Sequence, residues 1–167
     1  APNKDEEFAD FLRLSKQIPN IGLQFSIHKA FDVERDDLIP YKNKYNLSQI
    51  RDYGILWWKE TGRHPYLNYC IDGTNNGHYS ANELMNLFSP MVFNFTFSVV
   101  CSSDENMKEA GFKNLDDIRK FEEKFLNNGY NTRIFNPAGQ DDIGGGCGQL
   151  WYVQQWLREH EMEQNGR

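Results

Sequence analysis

The sequence lacks several features that would assign it to a familiar class of protein. It has no run of about 18 consecutive apolar residues, so neither a membrane-spanning helix nor a membrane partner is expected. It has only three cysteines, Cys70, Cys101 and Cys147, an odd number at long spacings. Such spacings do not suit a disulfide framework and favour a reducing compartment, so we expect a cytoplasmic protein.

An excess of basic residues is also missing. The 18 lysines and arginines are outnumbered by 24 aspartates and glutamates, which leaves a formal net charge of −6. Phosphate contacts require Lys and Arg, so the composition argues against a free-standing nucleic-acid binder. The basic residues are scattered near acids in short groups such as YKNKY and MKEAGFK, which is typical of solvated surfaces.

The sequence does contain a regular alternation of helix and strand patterns, judged from apolar spacing and β-branched or aromatic runs. Ser48 is expected to cap the second helix, and the SANE segment at 80–83 has the spacing of a capping box. Gly62 and Gly129 are expected to close helices, and 29–46 is expected to be a polar connection. The helices are predicted over 4–18, 49–61, 80–89, 115–128 and 150–161, and the strands over 21–28, 66–72, 91–100 and 131–135.

This alternation predicts an α/β fold with a parallel sheet, because strands separated by helices of about 10 to 15 residues form βαβ units. Ligands of such sheets bind at the C-terminal ends of the strands. In this chain those ends read SIHKAFD, CIDGTNNGH, SVVCSSDE and FNPAGQDD and are rich in polar side chains. Four units are too few to close an eight-stranded barrel. Either the sheet is open, or the chain is part of a larger barrel.

Two segments of the chain resemble a known enzyme family. The segment LQFSIHKAFDVERDDLIPYKNKYNL, residues 23–47, combines Ser-Ile-His with Asp32, an Arg-Asp pair, Pro40 and NKYN. The segment DDIGGGCGQL, residues 141–150, combines Asp-Asp-Ile, three small residues and Cys-Gly-Gln-Leu. Both resemble the radical S-adenosylmethionine (SAM) methyltransferases that modify C2 of an adenine in 23S ribosomal RNA. The segment YLNYCIDGTNNG between them is similar to the strand and Asn-containing turn of that family.

The resemblance covers about residues 20–150 and implies a fold. The chain would be the C-terminal half of a radical SAM core, a partial (β/α) barrel of about four parallel strands alternating with helices, with the first half absent. Residues 1–167 would then form one domain that includes a methyl-carrier loop at 141–150.

Cys147 is the candidate catalytic residue. A lone cysteine is commonly a small core residue, but the four glycines around Cys147 offer little apolar surface for packing. The resemblance implies that Cys147 is the methyl-accepting cysteine, whose thiolate takes the methyl group of one SAM before a second SAM, cleaved reductively, activates it. A thiolate is required for the first step. The glycines give the backbone freedom to move, although the family usually has bulkier residues there.

Ser26, Ile27 and His28 are the candidate cofactor-binding residues. A polar pair at a strand end is, by itself, more often a capping group than a ligand contact. The matching triplet of the family lines the SAM site, so the resemblance implies a SAM contact by Ser26, Ile27 or His28. The charged cluster at 32–36 is expected to fix the following loop by ion pairing. The family's Asn-Pro after the third strand does not appear in this chain, and Ser98 is one candidate substitute for its SAM contact.

The family's iron–sulfur motif is also missing from the sequence. Radical SAM enzymes hold a 4Fe–4S cluster with three cysteines spaced CxxxCxxC, and no such spacing occurs in this chain. No metal ligand is therefore assigned, and an RNA partner is implied by the resemblance alone. We expect the chain to be inactive by itself as a methyltransferase, with an N-terminal half or another chain as its partner.

Two alternatives stay open. A half-barrel leaves sheet edges unpaired, so the chain could be a non-catalytic structural or interaction module that forms homo-oligomers or docks on another protein. The acidic charge also suggests part of a radical SAM enzyme with a substrate other than RNA.

Overall fold

The computed structural model describes residues 4–99 and 115–135, and these residues form the architecture that follows. The predicted helix at 150–161 lies outside them. The elements in chain order are α1 (Lys4–Gln17), β1 (Gln24–Ser26), α2 (Asp32–Leu38), α3 (Leu47–Thr61), β2 (Tyr66–Ile71), α4 (His78–Leu87), β3 (Asn94–Val99), α5 (Leu115–Leu126) and β4 (Thr132–Phe135).

The four strands form one parallel sheet in the order β1-β2-β3-β4. Crossovers between parallel strands are right-handed, so this sequential order places the connecting helices on one face of the sheet. The predicted α/β fold, with about four parallel strands alternating with helices, is confirmed. The third strand begins at Asn94, later than predicted, because the amides of Val92 and Phe93 bond back to the Ser89 carbonyl in a turn.

The two faces of the sheet differ in character. Alternate side chains point to opposite faces of a strand, and strand register aligns the same alternation across the sheet. The core face packs under the helices, and the polar face lies opposite. Among the described side chains, the core face consists of Phe25, Leu67, Tyr69, Ile71, Phe95, Phe97, Thr132 and Ile134, and the polar face consists of Gln24, Ser26, Tyr66, Asn68, Cys70, Asn94, Thr96, Ser98, Arg133 and Phe135.

Aromatic packing between β3 and α5 forms the centre of the core. The centre of the Phe97 ring lies 5.5 Å from the centre of the Phe121 ring and 5.0 Å from that of the Phe125 ring. All three side chains are buried. Phe121 and Phe125 are four residues apart on α5, so they present one helical face to the sheet. This packing attaches α5 to the core face of the sheet.

The helix boundaries correct two of the predicted caps. The N-cap of α3 is Asn46 rather than Ser48, because Asn46 and Gln49 form a reciprocal capping box. The helix α4 starts at His78, so the SANE segment lies inside it and does not form the predicted capping box. Gly62 closes α3 in the left-handed conformation as predicted. Within the described residues, no helix is long and apolar enough to cross a membrane.

The predicted polar connection at 29–46 was wrong, because it contains the helix α2. The only buried residue of α2 is Arg35, which is 3% exposed. The helix therefore has no apolar periodicity from which it could be predicted. The expected ion pairing of this segment is confirmed. Arg35 pairs with Asp32 at 3.5 Å, and Asp36 pairs with Lys44 across the following loop at 2.6 Å.

Candidate functional site

The three predicted cofactor residues lie together at the C-terminal end of β1, next to the end of β2. Ser26 is exposed on the polar face, where it is in register with Asn68. Ile27 has a fully buried side chain in the core, and its amide donates to the Asn68 carbonyl at 2.9 Å. The Ile27 side chain is therefore not accessible to a ligand, which leaves the side chains of Ser26 and His28 as candidates.

His28 occupies a strained turn. Its φ is 58°, and it is the one non-glycine residue with positive φ in the described ranges. The Lys29 amide donates to the Ile27 carbonyl at 2.7 Å, which closes a three-residue turn with His28 at its centre. A positive φ at the centre of such a γ-turn is rare and strained. Strain of this kind persists where surrounding contacts enforce it, and it is concentrated at functional sites.

The imidazole of His28 is held neutral near pH 7. Burial, and then the positive charge of Arg35, lower the pKa of His28 below its ordinary value of 6.5. Its Nδ1 atom is buried and has no hydrogen-bond partner in the described part of the chain. A buried polar atom without a partner is costly, so the missing partner of Nδ1 calls for an explanation, of which a bound ligand is one.

Asn75 joins the ends of β1 and β2. Its Nδ2 donates to the Cys70 carbonyl at 2.7 Å and to the His28 carbonyl at 2.9 Å. Its Oδ1 accepts from the Asp72 amide at 3.1 Å, and its own carbonyl accepts from the Tyr69 hydroxyl at 2.7 Å. The residue is 1% exposed, so this network is shielded from water. Asn75 was not predicted as a site residue.

A salt bridge covers the outer side of the same region. The Lys29 ammonium lies 2.8 Å from Asp72 Oδ2 and 3.0 Å from Thr74 Oγ1. Burial raises the pKa of Asp72, but hydrogen bonds from Lys29 and from the Thr74 hydroxyl and amide outweigh it and hold that pKa below its usual range. The bridge gives the loop after β2 a second attachment to the turn at His28.

The polar face carries small hydrogen-bonding side chains on three neighbouring strands. Ser26, Asn68 and Thr96 form one row across β1, β2 and β3, and Cys70 is in register with Ser98 in the next row. The Ser98 hydroxyl donates to Asn68 Oδ1 at 2.6 Å. Asn68 and Thr96 were not predicted as site residues. The alternation in YLNYCI and NFTFSV could have placed them on one face.

Arg133 covers the polar face toward the N-terminal ends of the strands. Its Nε donates to Thr96 Oγ1 at 2.7 Å, and its Nη2 donates to Gln24 Oε1 at 3.1 Å. Its guanidinium carbon lies 4.5 Å from the centre of the Tyr66 ring. One side chain of β4 thus contacts all three of the other strands.

The candidate catalytic residue Cys147 and its loop at 141–150 lie outside the described residues, as does Cys101. Cys70 is half-buried on the polar face beside the candidate site. No group of three His, Cys, Asp or Glu side chains suited to a metal ion occurs in residues 4–99 and 115–135. The described residues therefore do not fit an iron–sulfur cluster.

Comparison with known proteins gives homologues along most of the chain, although no family model matches it. A protein named probable dual-specificity RNA methyltransferase RlmN from Clostridium novyi is 30% identical over 138 residues, which cover 82% of this chain and 39% of the relative. A protein named ribosomal RNA large subunit methyltransferase Cfr from Bacillus velezensis is 26% identical and covers 83% of this chain and 41% of the relative. The chain thus spans about two fifths of the length of the curated relatives it matches.

A solved structure supports the same relationship at the level of the fold. The crystal structure of a radical SAM methyltransferase from Sphaerobacter thermophilus matches with a TM-score of 0.69 at 22% identity, covering 85% of this chain and 41% of that chain. The resemblance found in the sequence is confirmed: the chain is similar to the C-terminal portion of the catalytic core of the radical SAM rRNA methyltransferases named RlmN and Cfr.

Proposed function

We propose that this chain, residues 1–167, is the C-terminal portion of a radical SAM methyltransferase that acts on C2 of an adenine in ribosomal RNA. The observation that carries this proposal is the similarity to proteins named RlmN over 82% of the chain. In this proposal Cys147, in the loop 141–150, is the residue that accepts the methyl group. The cytoplasm is the proposed location of the protein.

SAM is the proposed cofactor at the ends of β1 and β2. The triplet Ser26, Ile27 and His28 would hold it, with the side chains coming from Ser26 and His28. The unpartnered Nδ1 of His28 and the hydroxyl and amide groups of Ser98 and Asn68 support this, because they suit the polar amino-acid and ribose groups of SAM. When bound, SAM supplies an activated methyl group. The neutral imidazole offers it a hydrogen-bonding group in a partly dehydrated site.

The 4Fe–4S cluster of the whole enzyme is proposed to be held by residues outside this sequence. The CxxxCxxC spacing is not among the 167 residues, and the described residues offer no set of ligands for it. An N-terminal half, or another chain that supplies it, is the partner required for activity, and this chain alone is proposed to be inactive.

The test is mass spectrometry of the chain after co-expression with the N-terminal portion of the Clostridium novyi relative. We expect one added methyl group on the peptide that contains Cys147, and none on the peptides of Cys70 and Cys101. A Cys147→Ser variant is the control and should carry no methyl group. Methylation at another cysteine, or of the Cys147→Ser variant, would contradict the assignment.

Binding of SAM provides a second test that does not require the cluster. Calorimetry of the isolated chain with SAM should show binding that weakens by about tenfold in a His28→Ala variant, the effect of losing one hydrogen bond. A Tyr79→Ala variant is the matched control, because Tyr79 is 86% exposed on α4. Equal affinities for wild type and His28→Ala would remove His28 from the site.

A non-catalytic interaction module is the second candidate function, favoured by the sheet edges. β1 and β4 lie at the two ends of the described sheet, and an exposed strand edge offers unpaired backbone groups to another chain. Sedimentation of a defined oligomer, together with no heat of SAM binding, would favour this candidate.

A third alternative, a substrate other than RNA, is favoured by the net charge of −6. It predicts methylation of Cys147 without transfer to ribosomal RNA.

A further inference from the structure

The strained turn at His28 is held from both sides by buried side chains. The backbone conformation of His28 is defined by the orientations of two peptide planes, one before and one after its Cα atom. The Ile27 carbonyl, in the plane before, accepts from Arg35 Nε at 2.9 Å. The His28 carbonyl, in the plane after, accepts from Asn75 Nδ2 at 2.9 Å. Arg35 and Asn75 are 3% and 1% exposed, so neither contact competes with water.

Asn75 is itself fixed by further contacts that do not involve His28. Its amide group also bonds the Cys70 carbonyl and the Asp72 amide, and its carbonyl accepts from the Tyr69 hydroxyl. A side chain with this many partners has little freedom to follow its neighbours. His28 must therefore adjust to Asn75, which explains how a non-glycine residue keeps a positive φ of 58°.

We propose that Asn75 is a positioning residue, which fixes the peptide plane after His28 and so sets the direction in which the imidazole meets a ligand at the ends of β1 and β2. The proposal rests on the proposed function only for the identification of that ligand as SAM. The placement of the imidazole follows from the contacts of Asn75 and does not depend on which ligand binds.

The experiment is NMR spectroscopy of the full chain carrying Asn75→Ala, read at His28. Three-bond couplings report φ of His28, and the imidazole ¹⁵N shifts, followed against pH, report its environment. We expect φ to leave the positive region and the pKa of His28 to move back toward 6.5 as the ring meets water. A folded Asn75→Ala chain with unchanged couplings and shifts at His28 would overturn the proposal.

Asn94→Ala is the matched control. Asn94 is also a buried asparagine, 7% exposed, but it starts β3 at the opposite end of the sheet. Replacing an asparagine that only stabilises the fold should lower the free energy of unfolding without changing the conformation of His28. Asn94→Ala should therefore leave the NMR signals of His28 unchanged. If Asn94→Ala shifts them as much as Asn75→Ala does, the effect is not specific to Asn75 and the proposal fails.

A second variant covers the case in which Asn75→Ala does not fold. Asn75→Asp is isosteric and keeps an acceptor for the Asp72 amide, but it cannot donate to the His28 and Cys70 carbonyls. It should change φ of His28 in the same way, and an unchanged φ would again overturn the proposal. The three-bond couplings are the readout for this variant because they report geometry whatever charge the new carboxylate adds.

SAM affinity separates this proposal from the proposed function. If the wild-type chain binds SAM, Asn75→Ala should bind it about tenfold more weakly, the effect of one misplaced hydrogen bond. Unchanged affinity with a displaced His28 would overturn the positioning role. If the wild-type chain does not bind SAM, the assignment of the ligand fails, while the couplings still decide whether Asn75 places His28.

Discussion

Phe97 and Ser98 are neighbours in β3, yet they have opposite surroundings. The Phe97 ring is buried on the core face between the rings of Phe121 and Phe125. Ser98 lies on the polar face and donates to Asn68 Oδ1. On the core face, large apolar side chains pack the sheet against its helices. On the polar face, hydroxyl and amide groups form individual hydrogen bonds. Stability and ligand recognition should therefore separate by position along a single strand.

The largest effect is expected on the core face. Phe97→Ala removes a ring that contacts other buried rings, so the free energy of unfolding should fall by about 3–5 kcal/mol. Urea denaturation measures this loss. Phe135→Ala is the control, since Phe135 lies on the polar face of the same sheet and is 52% exposed. It should cost far less, and equal losses for the two variants would contradict the division between the faces.

A smaller effect is expected on the polar face. Ser98→Ala leaves Asn68 Oδ1 without its donor, so the free energy of unfolding should fall by about 0.5–1.5 kcal/mol in the same urea assay. Ser26→Ala, at an exposed position of the same face, should change it by less than about 0.5 kcal/mol. A loss for Ser98→Ala as large as that of Phe97→Ala would show that the polar face also carries the fold.

The smallest effect is a dependence of stability on pH. The folded chain holds the pKa of His28 below 6.5, so the unfolded chain binds a proton that the folded chain does not. This contribution to stability is complete above pH 6.5 and is lost as the pH falls from 6.5 toward the folded pKa. Thermal unfolding between those values should show a slope that His28→Gln reduces. An identical slope in the variant would assign the dependence to other groups.

The sequence predicted those parts of the fold that depend on local patterns. The helices α3 and α5 and the strands β2 and β3 have strong periodicity, and their order is sufficient to predict the parallel sheet. The helix α2 was not predicted, because its one buried side chain is the charged Arg35 and not an apolar residue. The cap of α3 was misplaced by two residues because Ser48 and Asn46 are both good capping residues, and the partner Gln49 decides between them.

The candidate site was predictable as a location but not as a network. Parallel topology places Ser26 and His28 at a strand end, where a ligand site is expected. The contact that holds His28 comes from Asn75, which is 47 residues further along the chain, so no local pattern links the two. The positive φ of His28 is likewise not predictable from its residue type, because histidine adopts positive φ more often than most residues but still only in a small fraction of cases.

The Arg133 side chain has a consequence for how this sheet could associate with further strands. It reaches from β4 to Gln24 on β1, so the two edge strands are tied to each other within the chain. This contact adds to the backbone pairing that already joins the four strands and helps to hold the two edges at a fixed distance. Ordering of the edges before association lowers the entropic cost of binding another piece.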